Sequence, residues 1–489
     1  MLFTEPVFLF IFLPVLLALH VAPWPTYRNG LLLAASVIFY ARGGGDFTWF
    51  LAASILLNYC SAIVIDRYRD RPVGRRLLVL TVAANVTALG VFKYADFAVG
   101  NVNVALRSLG AVPMALPGLV LPIGISFFTF HAISYVVDVY RRDAAAQKGP
   151  VQAALYMLLF PQLIAGPIIR YREIADQLAR RRVSMDDMAA GIQRFVVGLG
   201  KKMLVANIVA VPVDRIFAMP ADQLTAGHAW LAMACYTVQI YFDFSGYSDM
   251  AIGLARMFGF RFPENFRYPY SARSIQDFWR RWHISLSAWF RDYVYVPLGG
   301  NRGTPARTYL NLVTVFFLCG LWHGANWTFV IWGLYHGLFL ALERGWLAHW
   351  LAARPAALGR AYTVMVALIG WVFFRADSMT SAFGVLRAMA GASPALSTPF
   401  SAGWYLTPEV VIALAAGAVG SLPWMPTVRS FFAGTPAGDG RQASGDGRTE
   451  PAAGWVPSFV VTATLWMVLL GSLSLVAART YNPFIYFRF

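Results

Sequence analysis

Charge is what this chain has least of. Of its 489 residues only 13% are Asp, Glu, Lys or Arg, against roughly 25% in an ordinary soluble domain. A water-exposed surface cannot be built from so few charges, because buried area grows too slowly with chain length to hide the apolar remainder. Cysteine is scarce too: Cys60, Cys235 and Cys319 each sit in an apolar stretch, with neither CxxC nor Cys/His spacing. That pattern argues against a zinc site and reads as three small packing residues. Acidic residues number 24 against 40 basic ones, a net charge of +16. The basic residues fall in short clusters between apolar runs, as in the cytoplasmic loops of membrane proteins, and not along one face, so no nucleic-acid partner is expected. A long internal repeat is not evident, which weakens an inverted-repeat transporter reading. The first apolar segment lacks a basic leader and a small-residue cleavage site, so it reads as a retained span.

What is present is apolar: 58% of residues are hydrophobic. Runs approaching the roughly 20 residues of a spanning helix occur near 6–22, 29–42, 47–65, 77–98, 119–139, 203–218, 229–253, 309–345, 361–374, 403–421 and 456–478. The expected fold is all-α and polytopic, with about 10–12 transmembrane or re-entrant helices. Arg67, Arg69, Arg71, Arg75 and Arg76 follow the third run and Arg141 and Arg142 the fifth, while 99–118 carries only Arg107. The positive-inside rule then sets the amino terminus outside.

The apolar segment 151–169 breaks this alternation, because basic clusters flank both of its ends (Arg141, Arg142 and Lys148; Arg170, Arg172, Arg180, Arg181 and Arg182). Pro161, Gly166 and Pro167 within it predict a re-entrant hairpin, with an interfacial helix as the alternative. Residues 254–308 hold nine Arg against Glu264, Asp277 and Asp292, interleaved with Trp279, Trp282, Trp289 and other aromatics. Short amphipathic helices at the membrane surface are expected there. Residues 433–455 read as a flexible solvent loop.

The segment 307–343, as one helix, would run about 55 Å, nearly twice the hydrocarbon thickness. It must break, and the break falls at Leu321-Trp322-His323-Gly324-Ala325-Asn326-Trp327. His323 therefore stands at a bend at membrane depth, where an ionisable side chain is a functional candidate and where an imidazole suits proton transfer. The alternative is a histidine tying the break to a carbonyl. His336 reads as helix packing, and Cys319 as a packing thiol instead of a thioester nucleophile. His283 lies among Asp277, Arg280, Arg281 and Arg291, whose guanidinium groups suit either the phosphates of an anionic cosubstrate or lipid headgroups. Asp243 and Asp249 face the protein interior, as polar glue between helices or as part of a substrate path. Gly198-Leu199-Gly200-Lys201-Lys202 lacks the earlier glycine and the following Ser/Thr of a phosphate loop.

The segments DFWRRWHISLSAWFRDYVYVPLGGNR (277–302) and LWHGANWTFVIWGLYHG (321–337) resemble the membrane-bound O-acyltransferase superfamily, and in particular its bacterial alginate O-acetylation branch. Further matching words are Phe92-Lys93-Tyr94, the stretches 121–130 and 160–167, and 483–487, so the resemblance spans almost the whole chain. It implies one membrane domain, 1–489, around a central funnel: N-terminal spans 1–140, a catalytic core 141–345 and C-terminal spans 346–489. It further implies that His323 and His283 are catalytic, with Trp322, Asn326, Arg280, Arg281 and Asp277 as substrate contacts. The implied setting is a bacterial inner membrane, with acetyl-CoA as the cytoplasmic acetyl donor and no tightly bound cofactor. Periplasmic partner proteins would carry the acetyl group to a polysaccharide. The same superfamily includes the D-alanyl transferases of teichoic acid and the peptidoglycan O-acetyltransferases, which these motifs do not exclude, and a non-catalytic transporter or scaffold is the competing class.

Overall fold

A computed structural model describes residues 1–21, 27–393, 398, 400–424 and 458–478; the 433–455 loop and the 483–487 word lie outside them. Every regular element among the described residues is helical. Among the described residues five helices are long and apolar enough to cross a membrane, and two shorter apolar ones join them, which makes this a multi-pass membrane protein.

The N-terminal helices are α1 (Leu13–Val21), α2 (Arg28–Gly44), α3 (Phe47–Tyr68), α4 (Pro72–Ser108) and α5 (Ile125–Arg141). Next come α6 (Pro150–Leu158), α7 (Phe160–Leu163), α8 (Tyr171–Ala179), α9 (Met185–Gly200), α10 (Asn207–Phe217) and α11 (Ala226–Met257). The short α12 (Ile275–Arg281) and α13 (Ile284–Phe290) precede α14 (Pro305–His323) and α15 (Trp327–Leu342). The remainder is α16 (Ala348–Ala352), α17 (Ala356–Arg375), α18 (Met379–Met389), α19 (Pro408–Gly420) and α20 (Ser458–Ala478).

Residues 150–170 form a hairpin. Helix α6 stops at Leu159, α7 adds one turn, and the chain returns extended. Its two ends meet: the Tyr171 hydroxyl donates to the Ala145 carbonyl at 2.6 Å, so both basic flanks lie at one level. Backbone groups in the return are satisfied from within the protein, as an irregular segment at depth requires. The Ile168 N–H donates to Ser285 Oγ (2.9 Å) and the Tyr156 hydroxyl to the Ile169 carbonyl (3.0 Å).

Two expectations need correction. The 203–218 run is only the second half of an apolar helical stretch over Met185–Phe217. Ser184 starts it by accepting the Asp187 N–H at 3.0 Å, and its first half is amphipathic, which obscures it in a search for continuous apolar runs. Residues 275–290 do form short helices, yet Phe278, Trp279, Trp282, His283, Trp289 and Phe290 are buried in the protein core. The aromatics that suggested a membrane surface pack inward instead; Phe130 stacks on Trp289 at 3.7 Å.

Helices α9 and α11 touch through glycines, as helices without a hydrophobic drive between them commonly do. A Cβ at Gly198 would lie 2.5 Å from the Gly246 carbonyl oxygen, and one at Gly253 2.6 Å from that of Gly191. The same interface pairs Lys202 with Asp243 at 2.7 Å, and Asp249 with Arg194 (2.7 Å) and Lys201 (2.6 Å). Both intramembrane carboxylates are thus committed to ion pairs between helices, and the two lysines of 198–202 supply the partners.

Candidate active site

The α14–α15 hairpin sets His323. Pro305 opens α14 and Thr304 caps it, accepting the Arg307 N–H. The two helices then converge on Gly320 and Gly333, where any side chain would collide with the backbone of the facing helix. Helix α14 ends at His323, the chain is extended at Gly324, and Asn326 starts α15 by accepting the Thr328 N–H at 3.0 Å. The bend expected at 321–327 is therefore present, with His323 as the last residue of its helix.

The exposed carbonyls at that helix end are gathered by α4. Lys93 Nζ donates to the Trp322 carbonyl, to the His323 carbonyl at 3.3 Å and to Ser126 Oγ at 3.5 Å, and the Tyr94 hydroxyl donates to the Leu321 carbonyl at 2.8 Å. A cation at a helix C-terminus also meets the negative end of the helix dipole. Lys93, Ser126, Phe127, Ile164, Trp322 and His323 together line a cavity of about 240 Å³.

The His323 ring is 6% exposed and wedged edge-on between Trp332 (5.0 Å) and Phe374 (5.1 Å), with Trp322 at 4.8 Å. Its Nδ1 has no hydrogen-bond partner among the described residues. His283 lies against the other side of the site, its ring 6.2 Å from Trp322 and edge-on to Phe244 at 4.6 Å. Its Nδ1 is 3.1 Å from Asn265 Oδ1, and its buried Nε2 has no partner among the described residues. Trp322 thus touches both histidines.

A second cavity, of about 680 Å³, runs along α14 up to Cys319, one turn before His323. Trp279, Arg280, Ser287, Arg291 and Tyr295 line it. Arg280 and Arg291 therefore face a space next to the site. Arg281 does not: it pairs with Asp277 at 2.9 Å, four residues back on α12. Asn326 is likewise occupied, as the α15 cap and as donor to the Asp377 carbonyl at 3.0 Å. None of Asp277, Arg281 and Asn326 lines either cavity. His336 is fully buried among Phe278, Trp279, Trp332 and Trp371, as expected of a packing residue.

Outside the spans, Asp292 ties the site to the hairpin. It accepts from Arg291 at 2.7 Å, and from Arg170 and Arg172 where the hairpin leaves. Burial alone would raise its carboxyl, but the Arg291 hydrogen bond and the charges of Arg291, Arg170 and Arg172 outweigh it and hold the group below the ordinary carboxylate range.

Sequence reasoning gave Lys93 no role beyond its place in the word Phe92-Lys93-Tyr94, and it overlooked Asn265. Lys93 was detectable, since it is a lone cation inside the apolar run 77–98, the same signal that singled out Asp243 and Asp249. Asn265 gave none: it sits in an irregular stretch whose contacts are all remote in sequence.

Residues 114–382 match the model of the MBOAT, membrane-bound O-acyltransferase family. The chain is 40% identical, over the full length of both proteins, to the probable alginate O-acetylase AlgI of Azotobacter vinelandii, and equally so to that of Pseudomonas aeruginosa. It is 37% identical to the peptidoglycan O-acetyltransferase of Helicobacter pylori over 80% of each chain. With a family match over more than half its length and a relative 40% identical over the full length of both chains, this chain belongs to the membrane-bound O-acyltransferase family and is an O-acyltransferase.

Proposed function

We propose that this enzyme takes an acetyl group from a cytoplasmic thioester donor of the acetyl-CoA type and passes it across a bacterial inner membrane for O-acetylation of an exopolysaccharide such as alginate. The observation that carries the reading is the position of His323: it lines one cavity, while Cys319, one turn earlier on the same helix, lines another that carries two arginines. A donor whose phosphates meet Arg280 and Arg291 would direct its thioester along α14 towards the imidazole. An acceptor alcohol would come through the smaller cavity.

The chemistry is acyl transfer. His323 takes the proton of the acceptor hydroxyl as its oxygen attacks the thioester carbonyl; the C–S bond then breaks, and the proton passes to the departing thiolate. The aromatic walls around His323 keep out the water that would otherwise hydrolyse the thioester. Full-length similarity to proteins named alginate O-acetylases supports the polysaccharide choice. Periplasmic partner proteins would deliver the acetyl group to the polymer.

Mass spectrometry of surface glycans from cells expressing the wild type, H323A or H283A at equal protein levels tests this. Acetyl esters should vanish with H323A and fall severely with H283A. Undiminished esters with H323A would overturn the assigned role, and esters found only on peptidoglycan would overturn the choice of polymer.

A further inference from the structure

His283 can act in three ways on an acyl transfer: by orienting the acyl carbonyl, by donating to a developing oxyanion, or by accepting a hydrogen bond from the alcohol. Which of these is open depends on where its ring proton sits. That is decided by Asn265.

Asn265 is 1% exposed and makes contacts in two directions. Its Oδ1 accepts from Ser285 Oγ at 2.9 Å and from the Ser285 backbone N–H at 3.3 Å, and it faces His283 Nδ1 at 3.1 Å. Its Nδ2 donates to Ser248 Oγ on α11 at 3.0 Å. The amide cannot be reversed, because an NH₂ in place of Oδ1 would oppose the Ser285 backbone N–H, a donor against a donor. An oxygen facing Nδ1 requires the imidazole to place its proton there. In the neutral ring Nε2 is then a bare lone pair, and Nε2 is a buried atom that no group among the described residues satisfies.

Asn265 also holds the backbone that presents the ring. His283 adopts φ 44° and ψ 54°, the left-handed region that non-glycine residues enter at a penalty of roughly 1–2 kcal/mol. The next peptide N–H, of Ile284, donates to the Asn265 carbonyl at 3.0 Å. One residue thereby fixes both the turn and the tautomer.

We propose that Asn265 is a positioning residue that locks His283 as the Nδ1–H tautomer, so that Nε2 is a hydrogen-bond acceptor for a hydroxyl of the acceptor next to the attacking one, whose own proton goes to His323, and does not serve as an oxyanion donor. The proposal rests on the reading of His283 as part of the acyl-transfer site.

The test is ¹⁵N-histidine solid-state NMR of the full-length protein in lipid, with the His283 resonances assigned by their loss in H283Q, alongside cellular ester content. The wild type should show His283 protonated at Nδ1 and bare at Nε2. N265L should lose that pattern and cut ester content by up to about 10⁴-fold, the scale at which a wrongly held tautomer disables triad enzymes. N265D, which keeps an oxygen facing Nδ1, should retain both the tautomer and activity within about tenfold. A wild-type His283 protonated at Nε2 would overturn the proposal even if N265L fails to fold, and so would N265L with full ester content beside an inactive H283A. Full activity of H283A would instead sink the underlying role of His283.

Discussion

Replacing Lys93 by methionine tests whether the position of His323 is set from α4. The ammonium has three N–H donors, and each has an acceptor: the carbonyls of Trp322 and His323, and Ser126 Oγ. Hydrogen bonds between helices in a membrane contribute on average ~0.6 kcal/mol each, so the three together stabilise the α4–α14 contact by about 2 kcal/mol. Methionine nearly preserves the stem's volume and leaves two carbonyls at the end of α14 unpaired. The last turn should loosen, and a displacement of about 1 Å at a catalytic group costs roughly 10²-fold in rate. K93M should therefore unfold in detergent at a lower temperature and reduce cellular ester content about 10²-fold, whereas S126A, which removes only the 3.5 Å contact, should be nearly neutral. K93M with the thermal midpoint and ester content of the wild type would refute the reasoning.

Other positions give independent tests. G198L drives a side chain into the Gly246 carbonyl and should destabilise by about 3 kcal/mol or more, seen as loss of the monodisperse peak in fluorescence-detected gel filtration; G90L, at an open position, should elute normally. K202M takes the Lys202 ammonium away from the buried Asp243 carboxylate and should destabilise by about 3–5 kcal/mol, with most of the loss recovered in K202M/D243L; a double variant as unstable as the single would contradict the pairing. The folded Asp292 carboxyl titrates below its unfolded value of about 3.9. Its contribution to stability is therefore complete above that value and is lost as pH falls through the folded pKa. D292N should unfold at a lower temperature than the wild type at pH 7, with the gap closing below about pH 4; a gap that widens on acidification would reverse the sign.

Most of the helical layout was legible because apolar runs and helix breakers are local signals. The break at 321–327 was legible from Gly324 and Asn326 between two apolar stretches; length alone does not force one, since α4 runs unbroken over the 37 residues Pro72–Ser108. The hairpin at 150–170 followed from basic clusters on both flanks together with Pro161 and Pro167. Residues 275–290 were misjudged because alternating aromatic and basic residues look alike on a membrane surface and in a buried core; only long-range partners such as Phe130 on Trp289 decide between them. The same limit applies to the site. Trp322 and His323 are neighbours in sequence and lie together, but the contacts of Lys93 to the end of α14 and of Asn265 to His283 join distant segments. Arg281 and Asn326, which motif words alone offer as substrate contacts, are taken up by Asp277 and the α15 cap.

Acyl transfer at His323 requires a thioester to reach the imidazole along α14. Cryo-electron microscopy of the protein in nanodiscs with a non-hydrolysable acetyl-CoA analogue tests this most directly. Density for the phosphates at Arg280 and Arg291, with the acyl carbon beyond Cys319 and within hydrogen-bonding range of the His323 ring, is the predicted result. An analogue bound elsewhere, with the space between Cys319 and His323 closed, would contradict it.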